Sequence, residues 1–153
     1  MNRTIKFCGK RIDNGEWVYG AYFCLHHNDE RTHIHHFIIP DNMPIPKDKP
    51  IGEIQVEVIP ETIELFTSKQ DKENHELYSG DVIEMLDGSI ALIKYGEFEM
   101  YCPIDDMDMD NVGFYVLSPQ FDMSMPLGPT ESYALKLGNI HDNPELLEVI
   151  QNN

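Results

Sequence analysis

The chain has 153 residues, 41% of them hydrophobic and 10% aromatic, and its 27 acids against 11 bases give a formal charge of -16. That is the length of one domain able to bury a sizeable core, and the apolar content argues against a disordered chain. No run approaches the ~18–20 apolar residues of a membrane helix and the opening Met1–Phe7 lacks the apolar centre of a signal peptide, so a soluble, cytoplasmic protein without a membrane partner is expected.

Strand signals dominate in chain order. Glu16–Cys24 and Thr32–Ile39 are rich in aromatic and β-branched residues and flank the polar Asn28-Asp29-Glu30-Arg31, which predicts a β-hairpin. Pro40 ends it, since proline cannot donate to a ladder, and four prolines (Pro40, Pro44, Pro46, Pro50) predict an extended loop to residue 50. Glu53–Val58 alternates polar and apolar with period two, the pattern of a half-buried strand. An extended segment from Pro60 leads to a polar turn over Lys69–Glu76, then to Tyr78-Ser79-Gly80-Asp81-Val82, a turn that opens a new run of strands.

Val82–Leu86 and Ser89–Tyr95 are joined by the Asp87-Gly88 hairpin pair, and Gly96 is expected to break the chain before Glu97–Tyr101. Phe114–Leu117 and Tyr133–Leu137 complete a meander. Asn143 as cap, Pro144 at the first helical position and Glu145 near the positive dipole end predict one short helix, with Leu146, Leu147 and Ile150 as its apolar face. The expected fold is mostly β within a single domain, 1–153. Residues 1–59 form a hairpin region, and 60–153 form a small SH3-like barrel with a C-terminal helix.

Cys8, Cys24 and Cys102 are odd in number and lack a C-x-x-C spacing, so free thiols are expected, at least two of them buried. Five histidines (His26, His27, His33, His35, His36) fall within eleven residues of the hairpin. On a strand His33 and His35 share a face, and can lie opposite His26 or its neighbour. Zinc or nickel requires three or four ligands in fixed geometry, and no cysteine pair or H-E-x-x-H supports these, so a histidine surface is favoured over a metal site. Asp106-Met107-Asp108-Met109-Asp110 mimics the opening of a calcium loop, but Asn111 and Leu117 stand where glycine and glutamate are needed. A solvated acidic loop is the expectation there. Asp81 is read as a structural carboxylate that caps backbone amides at the Gly80 turn, rather than as a catalytic group. No nucleophile elbow, and no phosphate-loop spacing among Gly9, Gly15 and Gly20, marks a reaction, so neither catalytic residues nor a cofactor are expected.

The acids are unevenly placed. Val82–Ser132 holds ten (Glu84, Asp87, Glu97, Glu99, Asp105, Asp106, Asp108, Asp110, Asp122, Glu131) against Lys94 alone, whereas the first 31 residues have five bases and four acids. Such a surface repels phosphate, so nucleic acid is not an expected partner.

Several segments resemble the YopX family of small phage and prophage proteins. They are Ile5-Lys6-Phe7 before Trp17-Val18-Tyr19-Gly20, the stretch from Pro60-Glu61-Thr62 through Phe66-Thr67, Lys69, Asp71-Lys72 and Tyr78 to Gly80-Asp81-Val82, and the tail Gly138-Asn139-Ile140 with Asn143–Leu147. Two positions depart from the family pattern. Ser68 stands where glycine is usual, and Asn74-His75 replaces an Asn-Gly turn, which predicts altered turn geometry. The resemblance implies a mostly-β fold, a phage or prophage setting and no carried-over catalytic residue. The leading expectation is a non-enzymatic interaction module whose acidic, methionine-bearing region (Met100, Met107, Met109, Met123, Met125) meets a host or phage protein, with nucleic-acid mimicry as a sharper form. The alternatives are a small enzyme or metal-binding protein using the histidine hairpin, and a structural homo-oligomer.

Overall fold

The computed structural model describes residues 3–26, 33–44, 46–120 and 124–151. The hairpin turn at Asn28–Arg31, His27 and Met123 lie outside them. Two antiparallel sheets carry the strands, and the chain divides into two compact units, Met1–Phe66 and Thr67–Asn153.

In the first unit β1 (Phe7–Lys10), β2 (Trp17–His26), β3 (Ile34–Pro40), β4 (Val56–Glu57) and the start of β5 (Glu64–Gln70) lie in the order β4-β3-β2-β1-β5. The predicted hairpin is present, paired from Gly20↔Pro40 to His26↔Ile34. Its core is Val18, Ile38 and Val58, flanked by Phe7, Tyr22, Val56 and Ile63. Gly20 is required by close approach, because a Cβ there would stand 1.9 Å from the Ile39 carbonyl oxygen. The strand expected over Glu53–Val58 shrinks to Val56–Glu57. A 3-10 turn at Ile51–Glu53 sends the Ile54 N–H to the Ile51 carbonyl, so the chain reaches β3 only at Val56. Pro60–Thr62 is a second 3-10 turn, where the Thr62 hydroxyl accepts the Lys10 N–H (2.8 Å) and donates to the Ile59 carbonyl (2.7 Å).

In the second unit the far part of β5 neighbours β6 (Glu76–Tyr78). A five-stranded sheet runs in the order β10-β9-β8-β7-β11, built from β7 (Asp81–Glu84), β8 (Ile90–Cys102), β9 (Met107–Leu117), β10 (Met125–Pro126) and β11 (Leu135–Asn139). Leu77, Ile83, Ala91, Ile93, Val116 and Ala134 form its core. Burying each of the larger aliphatic side chains contributes roughly 1.5–3 kcal/mol over leaving it in water. The helix α1 (Pro144–Gln151) begins where proline predicts, with Leu146, Leu147 and Ile150 half-buried and Glu145, Glu148 and Val149 exposed.

Two expectations for this unit are corrected. Gly96 does not break a strand: β8 runs through it for 13 residues, because Gly96 faces Gly113 across the ladder and two residues without side chains bend together without breaking hydrogen bonds. The acidic stretch from Met107 is strand rather than loop, paired with β8 from Cys102↔Met107 to Leu92↔Leu117. Its Met-Asp-Met-Asp alternation is a period-two pattern.

Ser68 and Asn74 both have left-handed backbone, at φ 63° and 67°. The strain of the Asn74-His75 turn therefore falls on asparagine, which tolerates it. His75 instead takes an ordinary conformation and donates its N–H to Asp71 (2.9 Å), so the histidine does not force the turn into strained geometry. Ser68 is the position that bears an avoidable cost. Ser68→Gly is expected to raise stability by roughly 0.5–1 kcal/mol, the left-handed penalty of an L-residue less the entropy that glycine adds to the unfolded chain. Thermal unfolding of the two proteins checks this; a lower midpoint for the glycine variant would contradict it.

Candidate functional site

Beyond Tyr95 the β8–β9 pair leaves the rest of its sheet. β7 covers β8 only at Ile90–Leu92, and β10 covers β9 only at Tyr115 and Val116. From Glu97↔Val112 to Cys102↔Met107 the two strands pair with each other alone among the described residues. Directly opposed residues share a face, so the register sorts this ribbon into two surfaces. Phe98, Met100 and Cys102 lie on one with Asn111, Met109 and Met107. Glu97, Glu99 and Tyr101 lie on the other with Val112, Asp110 and Asp108. Glu99 stands directly across from Asp110, a like-charge pair that costs stability.

A two-stranded ribbon is marginal in water, and this one leaves apolar side chains uncovered: Met107 is 56% exposed, Met109 42% and Val112 70%. Its tip is closed by the Tyr101 hydroxyl donating to Asp106 (2.7 Å) across a turn in which Asp106 is left-handed. That hydrogen bond, with lesser help from burial and the Asp108 charge, pushes the Tyr101 phenol up. Where ribbon and sheet meet lies an apolar groove of about 700 Å³, lined by Met85, Leu86, Met100, Val116, Met125 and Tyr133 among others. Leu86, at the β7–β8 hairpin, is 83% exposed. Burial pushes the Tyr133 phenol up, and the Glu131 charge adds to this. Of the methionines singled out in the sequence, Met100 and Met125 line the groove, and Met107 and Met109 lie on the ribbon.

The other candidates are distributed differently. His35 lies opposite Leu25 and pairs through Nδ1 with Glu57 (2.6 Å). His36, on the opposite face, shares a 2.8 Å hydrogen bond with the Tyr22 hydroxyl and stacks on its ring. His26 lies opposite Ile34 at the end of β2, and His33 precedes β3. Asp108 and Asp110 are two strand positions apart, so they line up along a ribbon instead of curling round an ion. Among the described residues no three His, Cys, Asp or Glu side chains converge on a point that could hold a metal. The thiols are free, but only Cys8 is buried; Cys24 is exposed and Cys102 half-buried, because each sits on a strand segment with little packed against it. A cleft of about 540 Å³ in the first unit is lined by Arg11, Trp17, Tyr19, Asp41 and Gln55 among others. Its one guanidinium is already held by both oxygens of Asp13, at 2.9 and 2.7 Å.

Asp81 is 3% exposed and accepts the Tyr78 N–H and the Lys136 ammonium, both at 2.8 Å. Gly80 before it is left-handed at φ 79°, the conformation that turns the carboxylate back onto Tyr78. A second buried carboxylate, not recognised in the sequence, is Asp71. Its oxygens accept the N–H groups of Glu73, His75 and Lys136, each at 2.9 Å, and contact His75 Nδ1 at 3.1 Å. An aspartate at the start of a polar turn is the local signal for it.

These features define a mostly-β protein of two antiparallel sheets, tied by buried carboxylates and bearing an acidic two-faced ribbon. The YopX protein family model matches residues 6–148, and the chain belongs to the YopX family. A comparison with curated proteins finds no match. No helix among the described residues is long and apolar enough to cross a membrane.

Proposed function

We propose that this is a non-enzymatic binding module of a phage or prophage, acting in the bacterial cytoplasm, whose second unit grips a basic protein of host or phage. The observation that carries the reading is the uncovered apolar ribbon and groove set among acids. Methionine surfaces adapt to a partner's shape, and the surrounding carboxylates steer it in while repelling nucleic acid. The buried carboxylates Asp71 and Asp81 are engaged by backbone amides and Lys136, which suits structural work better than proton transfer. In the finer version of this reading the five-stranded sheet is an SH3-like barrel, opened by the Gly80-Asp81 turn, and the ribbon extends from its rim.

Capture from a host-cell lysate on the immobilised chain, beside a Leu86→Glu variant, tests the proposal. The expected result is a basic protein retained by the wild type and lost from the variant, with no micromolar binding of duplex or single-stranded nucleic acid at about 0.15 M salt. A captured set indifferent to the variant, or salt-sensitive binding of nucleic acid, overturns it.

A further inference from the structure

We infer that the outer edge of β9, from Met107 to Val112, takes up an extended segment of the basic partner, whose side chains alternate between apolar and Lys or Arg. This rests on the binding-module reading and names how the partner is held.

Six residues of strand present roughly 20 Å of backbone edge, at ~3.3 Å per residue. Among the described residues no strand pairs with that stretch, since β10 stops at Tyr115. Native edges of this length are usually blunted by charged side chains, proline or a bulge. Met107–Val112 has no proline and a continuous ladder with β8, and its only charges, Asp108 and Asp110, repel an acidic strand but attract a basic one. On the methionine face, Phe98, Met100 and Cys102 of β8 are half-buried while Met107 and Met109 of β9 are exposed, so on that face the uncovered side is that of β9.

A strand added to an edge continues the alternation of faces. Its residues beside Met107 and Met109 would be apolar. Those beside Asp108 and Asp110 would be cationic, and would also relieve the opposition of Asp110 and Glu99. The same chemistry disfavours a second copy as occupant: β9 laid against β9 sets aspartates against aspartates.

Fluorescence anisotropy with the full chain at about 0.15 M salt tests this with a labelled ten-residue peptide of alternating lysine and valine. The controls are its analogue N-methylated at alternate residues, a block-ordered peptide of equal composition, an alternating glutamate–valine peptide, and a basic amphipathic helical peptide. The alternating lysine peptide should bind at least tenfold more tightly than the N-methylated or block peptides. Asp108→Lys with Asp110→Lys should reverse the preference toward the glutamate peptide. Both aspartates are exposed, and unchanged thermal unfolding would show the variant folded. Equal binding of the N-methylated peptide overturns strand addition. Binding of the helical peptide alone overturns it while leaving the binding-module reading intact, and binding of neither basic peptide overturns both.

Discussion

Asp71→Ala is expected to destabilise the second unit by about 3–4 kcal/mol, since it strands three backbone N–H groups that a buried carboxylate now receives. The residue is 1% exposed and lies where the turn after β5 meets β11, 65 residues later in sequence. Two further bonds cross the same junction, from the Lys72 N–H to the Ala134 carbonyl (3.0 Å) and from the Thr130 hydroxyl to the Gln70 carbonyl (2.7 Å). Burial by itself would push the Asp71 carboxyl up. The N–H donors of Lys136 and His75, the His75 ring and the Glu73 N–H outweigh it and hold the group at about 2, against 3.8 unperturbed. A folded value below the unfolded one means stability that is fully present above pH 4 and is lost as pH falls from about 4 through 2. A difference of nearly two units corresponds to about 2 kcal/mol over that window. Urea unfolding between pH 2 and 7 should show this acid slope in the wild type and a shallower one in Asp71→Ala. Parallel curves would remove Asp71 from the account of acid stability.

Local pattern was enough for the parts of the fold that local chemistry decides. The β2–β3 hairpin, the Asp87-Gly88 turn and the Pro144 helix start follow from residue type and spacing, and they stand where those signals put them. Errors came where one residue carried two meanings. Gly96 reads as a break until Gly113 is known to face it, and that pairing is a tertiary fact. The aspartates at 106, 108 and 110 read as a solvated acidic loop by composition, although the methionines between them carry the strand period. That alternation makes the ribbon and its two faces legible in the sequence. The cysteines misled for a related reason: a thiol's burial depends on what packs against its strand, and Cys24 and Cys102 both lie on hairpin segments away from the cores.

The Asp71 junction had only half its signal in the sequence. An aspartate beginning a polar turn announces local amide bonds to residues 73 and 75, and these are present. Its third donor, Lys136, lies on a strand that no short-range pattern connects to residue 71. Lys136 serves both carboxylates, giving its backbone N–H to Asp71 and its ammonium to Asp81. Two carboxylates of the same central segment thus meet on one residue that lies far from both in sequence.

That shared residue sets up the last test. Asp81→Ala is expected to cost about 3–5 kcal/mol, because it leaves the Tyr78 N–H without its carboxylate and a partly buried ammonium without its counter-charge. Lys136→Met should cost less, about 1–3 kcal/mol: its side chain is 26% exposed, its backbone bond to Asp71 survives, and Asp81 keeps the Tyr78 N–H. Combining the two changes removes both charges together, so the double variant should be more stable than the sum of the single losses by about 1–3 kcal/mol. Denaturant unfolding of the four proteins measures that coupling. If the losses simply add, the 2.8 Å ion pair contributes little and the loss at Asp81 comes from its other bonds, the Tyr78 N–H among them. Binding of the basic peptides separates structure from function at the same carboxylate. A structural Asp81 predicts that each variant, at a temperature where it is folded, binds as the wild type does. An Asp81→Ala protein of wild-type stability that had lost peptide binding would make this carboxylate part of the binding surface instead.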